Sequence, residues 1–174
     1  DSVDESMLAA TRDALYGWTA ERLARKQTAL GQDAYLYLFD HGYPAADEAG
    51  LHACHAAEIP YVFGTLHDAA PNWPKIPRTS EERALSDAML QYWATFARDG
   101  SPAAHGQVDW PAYGPDAAFM LFDETPQTGM QLLGTRYALN EAVVCRRRAA
   151  GDQPWHWNVG IASPPMPPRV AGCQ

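Results

Sequence analysis

Three side chains stand at even intervals in one short stretch, His52, His55 and Glu58, written H-x-x-H-x-x-E. Spaced by three, they could share one face of a helix and offer two imidazoles and a carboxylate to a zinc ion. Gly50 and Pro60 flank them and would cut short any helix that presents that face. A histidine can also work alone, because imidazole exchanges protons in the neutral pH range. His41, Asp47 and Glu48 crowd the same turn-rich stretch, 40–58, and any of these histidines can equally be a hydrogen-bonded structural residue. Cys54 sits beside His55, with no basic group assured nearby to draw off its proton, and reads as packing. Two chemistries are therefore on offer, acid–base work and metal binding.

The rest of the chain narrows the setting. Its 174 residues are 47% apolar and 20% charged, the composition of one soluble globular domain. Lys and Arg number 13 against 21 Asp and Glu, a net charge of −8 that repels phosphate backbones and argues against nucleic acid as a partner. No apolar run approaches the roughly 20 residues that a membrane span needs. Cys54, Cys145 and Cys173 are widely spaced and form no C-x-x-C, which suggests neither a disulfide framework nor a zinc knuckle. One bridge plus one free thiol stays open. The opening Asp1-Ser2-Val3-Asp4 has no initiator Met and no leader pattern, so we expect either that something was removed upstream or that this is a piece of a longer protein.

The elements that must position the histidines follow from periodicity. Leu8, Thr11, Leu15 and Trp18 fall on one helical face, predicting a helix over 5–30 that ends at Gly31, with Gly17 as a weak point inside it. Residues 34–39 read as a strand, apolar on both faces and therefore buried. A helix over 80–99 has capping-box spacing at Thr79 and Glu82 and an apolar stripe of Leu85, Met89, Tyr92 and Phe96. Phe119–Phe122 reads as a second short strand, and 129–149 as a last helix with Arg146, Arg147 and Arg148 in its final turn. Residues 1–150 thus form the body and 151–174 a Pro- and Trp-rich tail. In that tail, Pro164-x-x-Pro167-x-Arg169 formally matches a polyproline ligand but reads as a terminal strap, and Trp155-His156-Trp157 as an anchor. Two strands make no independent sheet, so the expected fold is α/β with part of its sheet on a missing polypeptide.

Four segments carry a family resemblance. Ala53-Cys54-His55-Ala56-Ala57-Glu58-Ile59-Pro60-Tyr61-Val62-Phe63-Gly64 resembles the histidine segment of type-B carboxylesterases, the cholinesterase-like branch of the α/β-hydrolases. Tyr35–His41 is similar to the strand before that segment, and Met89–Pro102 to the family helix ending YW-x-x-FA-x-x-G-x-P. Trp110-Pro111-Ala112-Tyr113 with Phe119–Phe122 resembles its WP-x-Y and closing strand. The likeness covers about 34–146, and Ile59-Pro60 favours bacterial p-nitrobenzyl-esterase-like members.

The resemblance implies the C-terminal part of an α/β-hydrolase fold, supplying the last strands of a mostly parallel sheet with its flanking helices. It implies a carboxylic ester hydrolase using a Ser-His-Glu/Asp triad, with His55 as general base and no cofactor. Triad order in this fold is Ser, acid, His, and none of Ser2, Ser6, Ser80, Ser86, Ser101 or Ser163 lies in G-x-S-x-G. Nucleophile, acid and oxyanion hole are therefore expected on the N-terminal remainder of the same enzyme, and this chain alone is expected to be inactive. Partners would be that remainder and a small-molecule ester. By the same resemblance Glu58 is a structural carboxylate and His52 has no counterpart. Ala57 stands where cholinesterases hold an aromatic residue, which disfavours choline esters. A family bridge to the last helix would place its other cysteine near 16–18, where Tyr16, Gly17 and Trp18 stand, so the likeness gives no ground for bridging Cys145. Family habit suggests a secreted or periplasmic bacterial enzyme, with a cytoplasmic one still open. Two other readings remain: a non-catalytic cholinesterase-like binding or adhesion module, and a small metal-binding domain built on His52, His55 and Glu58.

Overall fold

An apolar residue every three or four positions from Leu85 to Phe96 needs a wall to lie against. The computed structural model describes residues 2–68, 70–151 and 168–173. In chain order its elements are α1 (Val3–Arg12), a π-helical turn (Asp13–Gly17), α2 (Trp18–Ala29), β1 (Tyr37–Phe39), α3 (Pro44–Glu48) and α4 (Ile59–Val62). Then follow α5 (Ser80–Asp99), β2 (Ala118–Phe122), β3 (Pro126–Met130) and α6 (Thr135–Ala149). They gather into two units, residues 35–130, and residues 1–34 with 131–174.

In the unit 35–130 the wall for α5 is a three-stranded sheet in the order β1-β2-β3. β1 runs parallel to β2, with Tyr37 opposite Met120, Leu38 opposite Leu121 and Phe39 opposite Phe122. The Met120 N–H donates to Leu36 O at 2.9 Å and the Asp40 N–H to Phe122 O at 2.8 Å, which carries the ladder one step past each end. β2 and β3 pair antiparallel from Ala118–Met130 to Phe122–Pro126. The strand expected over 34–39 is thus shorter, and it is not buried on both faces. Tyr37 is 37% exposed, because β1 has a strand neighbour on one side only among the described residues.

Met120 and Phe122 from β2, Leu85, Met89 and Tyr92 from α5, and Tyr61 from α4 form the centre of the core. Burying each such side chain contributes roughly 1.5–3 kcal/mol. Trp110 donates its indole N–H to Leu36 O at 3.1 Å and meets the rings of Tyr92 and Phe122 edge-on, at 5.6 and 5.4 Å. α5 spans the residues its stripe predicts, and it ends where Gly100 turns left-handed at φ 76°. β3 had no signal in the alternation of apolar residues. Gly129 explains its fit: the Phe119 ring lies where a side chain at 129 would stand, with Cζ 2.5 Å from the site of a Cβ.

The second unit is built on one helical rod. α1, the π turn and α2 run on without a break from Val3 to Ala29, close to the predicted 5–30. Gly17 ends the π turn, and it lets Leu133 approach to 3.0 Å from the place a Cβ would take. Trp18, Leu133 and Val144 form the small core. Its polar ties are ionic: Asp13, 7% exposed, pairs with Arg12 and Arg136, and Glu141 accepts from the Trp18 indole at 2.9 Å and from Arg22 at 2.8 Å. α6 begins at Thr135 rather than 129, because 126–130 belong to the sheet. Cys145 is bridged to Cys173, so the absence of a family partner near 16–18 did not leave it free, and Cys54 is the free cysteine among the described residues. The Trp155-His156-Trp157 and Pro164–Pro167 motifs lie outside the described residues.

Replacing Gly129 with Ala should drive the Phe119 ring out of its seat and lower stability by about 1–3 kcal/mol, read as a fall in Tm. An unchanged or raised Tm would mean that the ring is not held against β3.

Candidate active site

The segment that carries the candidate residues leaves the sheet at the carboxyl end of β1 and returns at α4. α3 occupies its first part, with Pro44 in the helix's opening turn, where a missing N–H costs nothing. Gly42 leaves room for Asp47, whose Oδ1 lies 2.7 Å from where a Cβ at 42 would stand. Asp47 Oδ1 in turn pairs with His52 Nδ1 at 2.8 Å, out in solvent. His52 is therefore held by α3.

Backbone conformation accounts for the rest. His52 and Ala56 both have positive φ, 46° and 70°, which breaks any helix through 52–58. His55 opens a turn over 55–58, exposed to solvent, with the Ala57 N–H donating to Cys54 O at 3.0 Å. Glu58 caps the start of α4 without using its side chain; burial first, and then the Glu58 carboxylate, hold the pKa of the Tyr37 phenol above its ordinary value and so oppose its ionisation. The even spacing of His52, His55 and Glu58 thus never becomes one helical face. Among the described residues no three His, Cys, Asp or Glu side chains converge on a point that could hold a metal ion. Beside the turn lies a largely apolar hollow of about 340 Å³, whose lining includes Tyr43, Leu51, Cys54, Ala57, Trp73 and Pro74.

A second group of polar side chains is buried beneath the segment. Glu82 is 7% exposed and its Oε2 accepts from the Tyr61 hydroxyl at 2.6 Å and faces His41 Nε2 at 2.9 Å. The capping box predicted at Thr79 and Glu82 forms only by half: the Thr79 hydroxyl accepts from the Glu82 N–H at 3.3 Å, while the carboxylate turns inward. Burial, and then the Glu82 carboxylate, push the Tyr61 phenol far above its ordinary range, which keeps the hydroxyl a donor at neutral pH. Tyr61 and Glu82 were missed as functional candidates because each has an adequate simpler reading, as a core aromatic and a cap. Only their meeting across twenty-odd residues shows the pair.

The chain matches the carboxylesterase family over residues 1–139. It belongs to that family. A medium-chain fatty acyl-CoA hydrolase precursor of Anas platyrhynchos is 33% identical over 135 residues, covering 75% of this chain and 23% of that protein. An acylcarnitine hydrolase of Rattus norvegicus is 34% identical over 106 residues, 59% of this chain and 18% of its own length. The crystal structure of carboxylesterase EST55 from Geobacillus stearothermophilus superposes with a TM-score of 0.55 at 31% identity, over 68% of this chain and 24% of that one. This carboxylesterase-family chain therefore spans about a fifth to a quarter of the length of these relatives. Its parallel β1–β2 pair with covering helices is part of an α/β-hydrolase fold. No helix among the described residues is long and apolar enough to cross a membrane.

Ala56 follows His55 directly and holds a conformation that costs a non-glycine residue about 1–2 kcal/mol. Ala56→Gly should raise the denaturation midpoint by about 1 kcal/mol of stability, and Ala56→Val should lower it by at least as much. Equal midpoints for the three would show that the turn is not left-handed in solution.

Proposed function

We propose that this chain, body 1–150 and tail 151–174, is the C-terminal portion of a carboxylic ester hydrolase in which His55 is the general base. The observation that carries the reading is the place of His55. It stands in a segment that resembles the family's histidine segment, exposed on a turn whose segment springs from the carboxyl end of a parallel strand, the edge where α/β folds gather their ligands.

In this reading His55 Nε2 takes the proton from a serine hydroxyl as its oxygen attacks the ester carbonyl. The tetrahedral intermediate collapses, the carbon–oxygen bond to the alcohol breaks, and the same proton passes to the leaving alkoxide. Water then attacks the acyl-enzyme with His55 again as base, releasing the acid and restoring the serine. A carboxylate holds Nδ1–H and fixes the tautomer. Serine, carboxylate and oxyanion donors lie on the N-terminal remainder of the enzyme. Two features support that partner: the chain matches only about a quarter of its relatives' length, and β1 has an open edge among the described residues. Without those groups the chain by itself is inactive, since each lost oxyanion donor alone costs roughly 10²–10³ in rate.

The Cys145–Cys173 bridge supports an exported enzyme, secreted or periplasmic, because such bonds persist in oxidising compartments. A bacterial source draws support from the likeness to the Geobacillus enzyme, although the curated relatives named above are animal proteins. Ala57, 5% exposed and lining the hollow beside the turn, offers no aromatic face to a quaternary ammonium.

In the complete enzyme, His55→Ala should lower kcat by roughly 10³-fold or more with an unchanged circular dichroism spectrum. Turnover near that of the wild type would remove His55 from the role. A choline ester should react no faster than its neohexyl counterpart, the uncharged carbon isostere. A preference for choline of about tenfold or more would mean that an aromatic cage is present after all.

A further inference from the structure

Residues 42–60 form the segment that carries His55, and the side chains just outside its two ends meet on one atom. His41 precedes the segment at the exit of β1, and Tyr61 follows it in α4. Glu82 Oε2 accepts the Tyr61 hydroxyl proton at 2.6 Å and lies 2.9 Å from His41 Nε2. His41 Nδ1 is buried with no hydrogen-bond partner among the described residues, so the ring proton belongs on Nε2, where it donates to the carboxylate. All three side chains are buried, His41 at 8%, Glu82 at 7% and Tyr61 at 0% exposure.

The surroundings make this neck stiff. The His41 ring stands edge-on to Tyr61 at 5.4 Å and to Phe39 at 6.1 Å, and Phe39 meets Tyr61 at 5.3 Å. One turn further along α5, the Ser86 hydroxyl donates to Tyr61 O at 2.9 Å. Stability alone explains such an arrangement poorly. A buried carboxylate is costly to desolvate, and well-packed apolar residues in its place are often as stable or more so. What a shared acceptor adds is a fixed distance between two chain ends. The exit of β1 and the start of α4 cannot drift apart, nor move relative to α5, without breaking a charge-assisted bond in the core.

We infer that Glu82 is a positioning residue: by holding His41 and Tyr61 on one oxygen it closes the neck of the segment 42–60 and sets the reach of the His55 imidazole. The inference rests on the reading of His55 as the base. Placement of a base to within a fraction of an ångström is worth rate, and an error near 1 Å can cost about 10²-fold.

The test is made on the complete enzyme, with active sites counted by a stoichiometric phosphonate inhibitor so that unfolded protein drops out of kcat. Tyr61→Phe keeps the ring and deletes one pin; it should lower kcat by roughly tenfold or more while KM stays within about twofold. Glu82→Gln keeps an oxygen that both donors can reach and should recover most of what Glu82→Ala loses. In the Glu82→Ala background, Tyr61→Phe should cost little more, because both pins act through one carboxylate. Wild-type kcat in Tyr61→Phe, or a loss seen only in KM or Tm, overturns the inference. So does an undiminished cost in the Glu82→Ala background. If Glu82→Ala does not fold, the kcat against KM split in Tyr61→Phe and Glu82→Gln decides. His55→Ala run alongside separates the two claims: an active His55→Ala sinks the base assignment, whereas an inactive one beside a fully active Tyr61→Phe sinks only the neck.

Discussion

Parallel strands cannot be joined by a tight turn, and this requirement shapes the unit 35–130. β1 lies beside β2 in parallel register, so everything between them must cross over the sheet and come back to the starting edge. The crossing is made by α3, α4 and α5, and α5 covers the sheet with Leu85, Met89 and Tyr92 set against Met120 and Phe122. A consequence is that the chain leaves β1 at its carboxyl end with a long segment still to place before α5 begins. That segment contains His55. Its turn is thus a product of the crossover, and the role proposed for His55 rests on where a parallel sheet leaves its loops.

A loop alone would be a poor mount for a base. Here the segment is tied at several depths: at the surface by the Asp47–His52 pair, and at the core by the tie of Tyr61 and His41 to Glu82. The two ties differ in kind. The first is solvent-exposed and worth little, as exposed pairs usually are. The second is dry, shared between three elements, and directional. Glu82 reaches it by giving up half of a helix cap, so a residue whose spacing suits one local task serves a distant one instead.

What could be read in advance follows from how local each signal is. α5 was legible to the residue because its apolar stripe lies within its own span and its cap and terminal glycine directly flank it. The family itself was legible in short strings of residue types. β3 was not, since Pro126-Gln127-Thr128-Gly129-Met130 shows no alternation and is held by its pairing to β2 and by the Phe119 ring over Gly129. Gly17 looked like a flaw in a helix until Leu133 was seen in the space it leaves. The same holds for Cys145, whose partner Cys173 lies beyond the helix, near the end of the tail. Even spacing misled at His52, His55 and Glu58, where left-handed residues turn the backbone and no common face exists. For β3, Gly17 and Cys145 the deciding contact lies outside the element itself, whereas at 52–58 the deciding feature is the local backbone.

The account stands on the imidazole of His55 meeting a nucleophile carried by another part of the enzyme. A crystal structure of the complete enzyme with a phosphonate bound to its nucleophilic serine tests this most directly. The account predicts His55 Nε2 within hydrogen-bond reach, about 2.6–3.2 Å, of an oxygen of the adduct. Another histidine in that place, or a His55 ring turned to solvent with the adduct elsewhere, would contradict it.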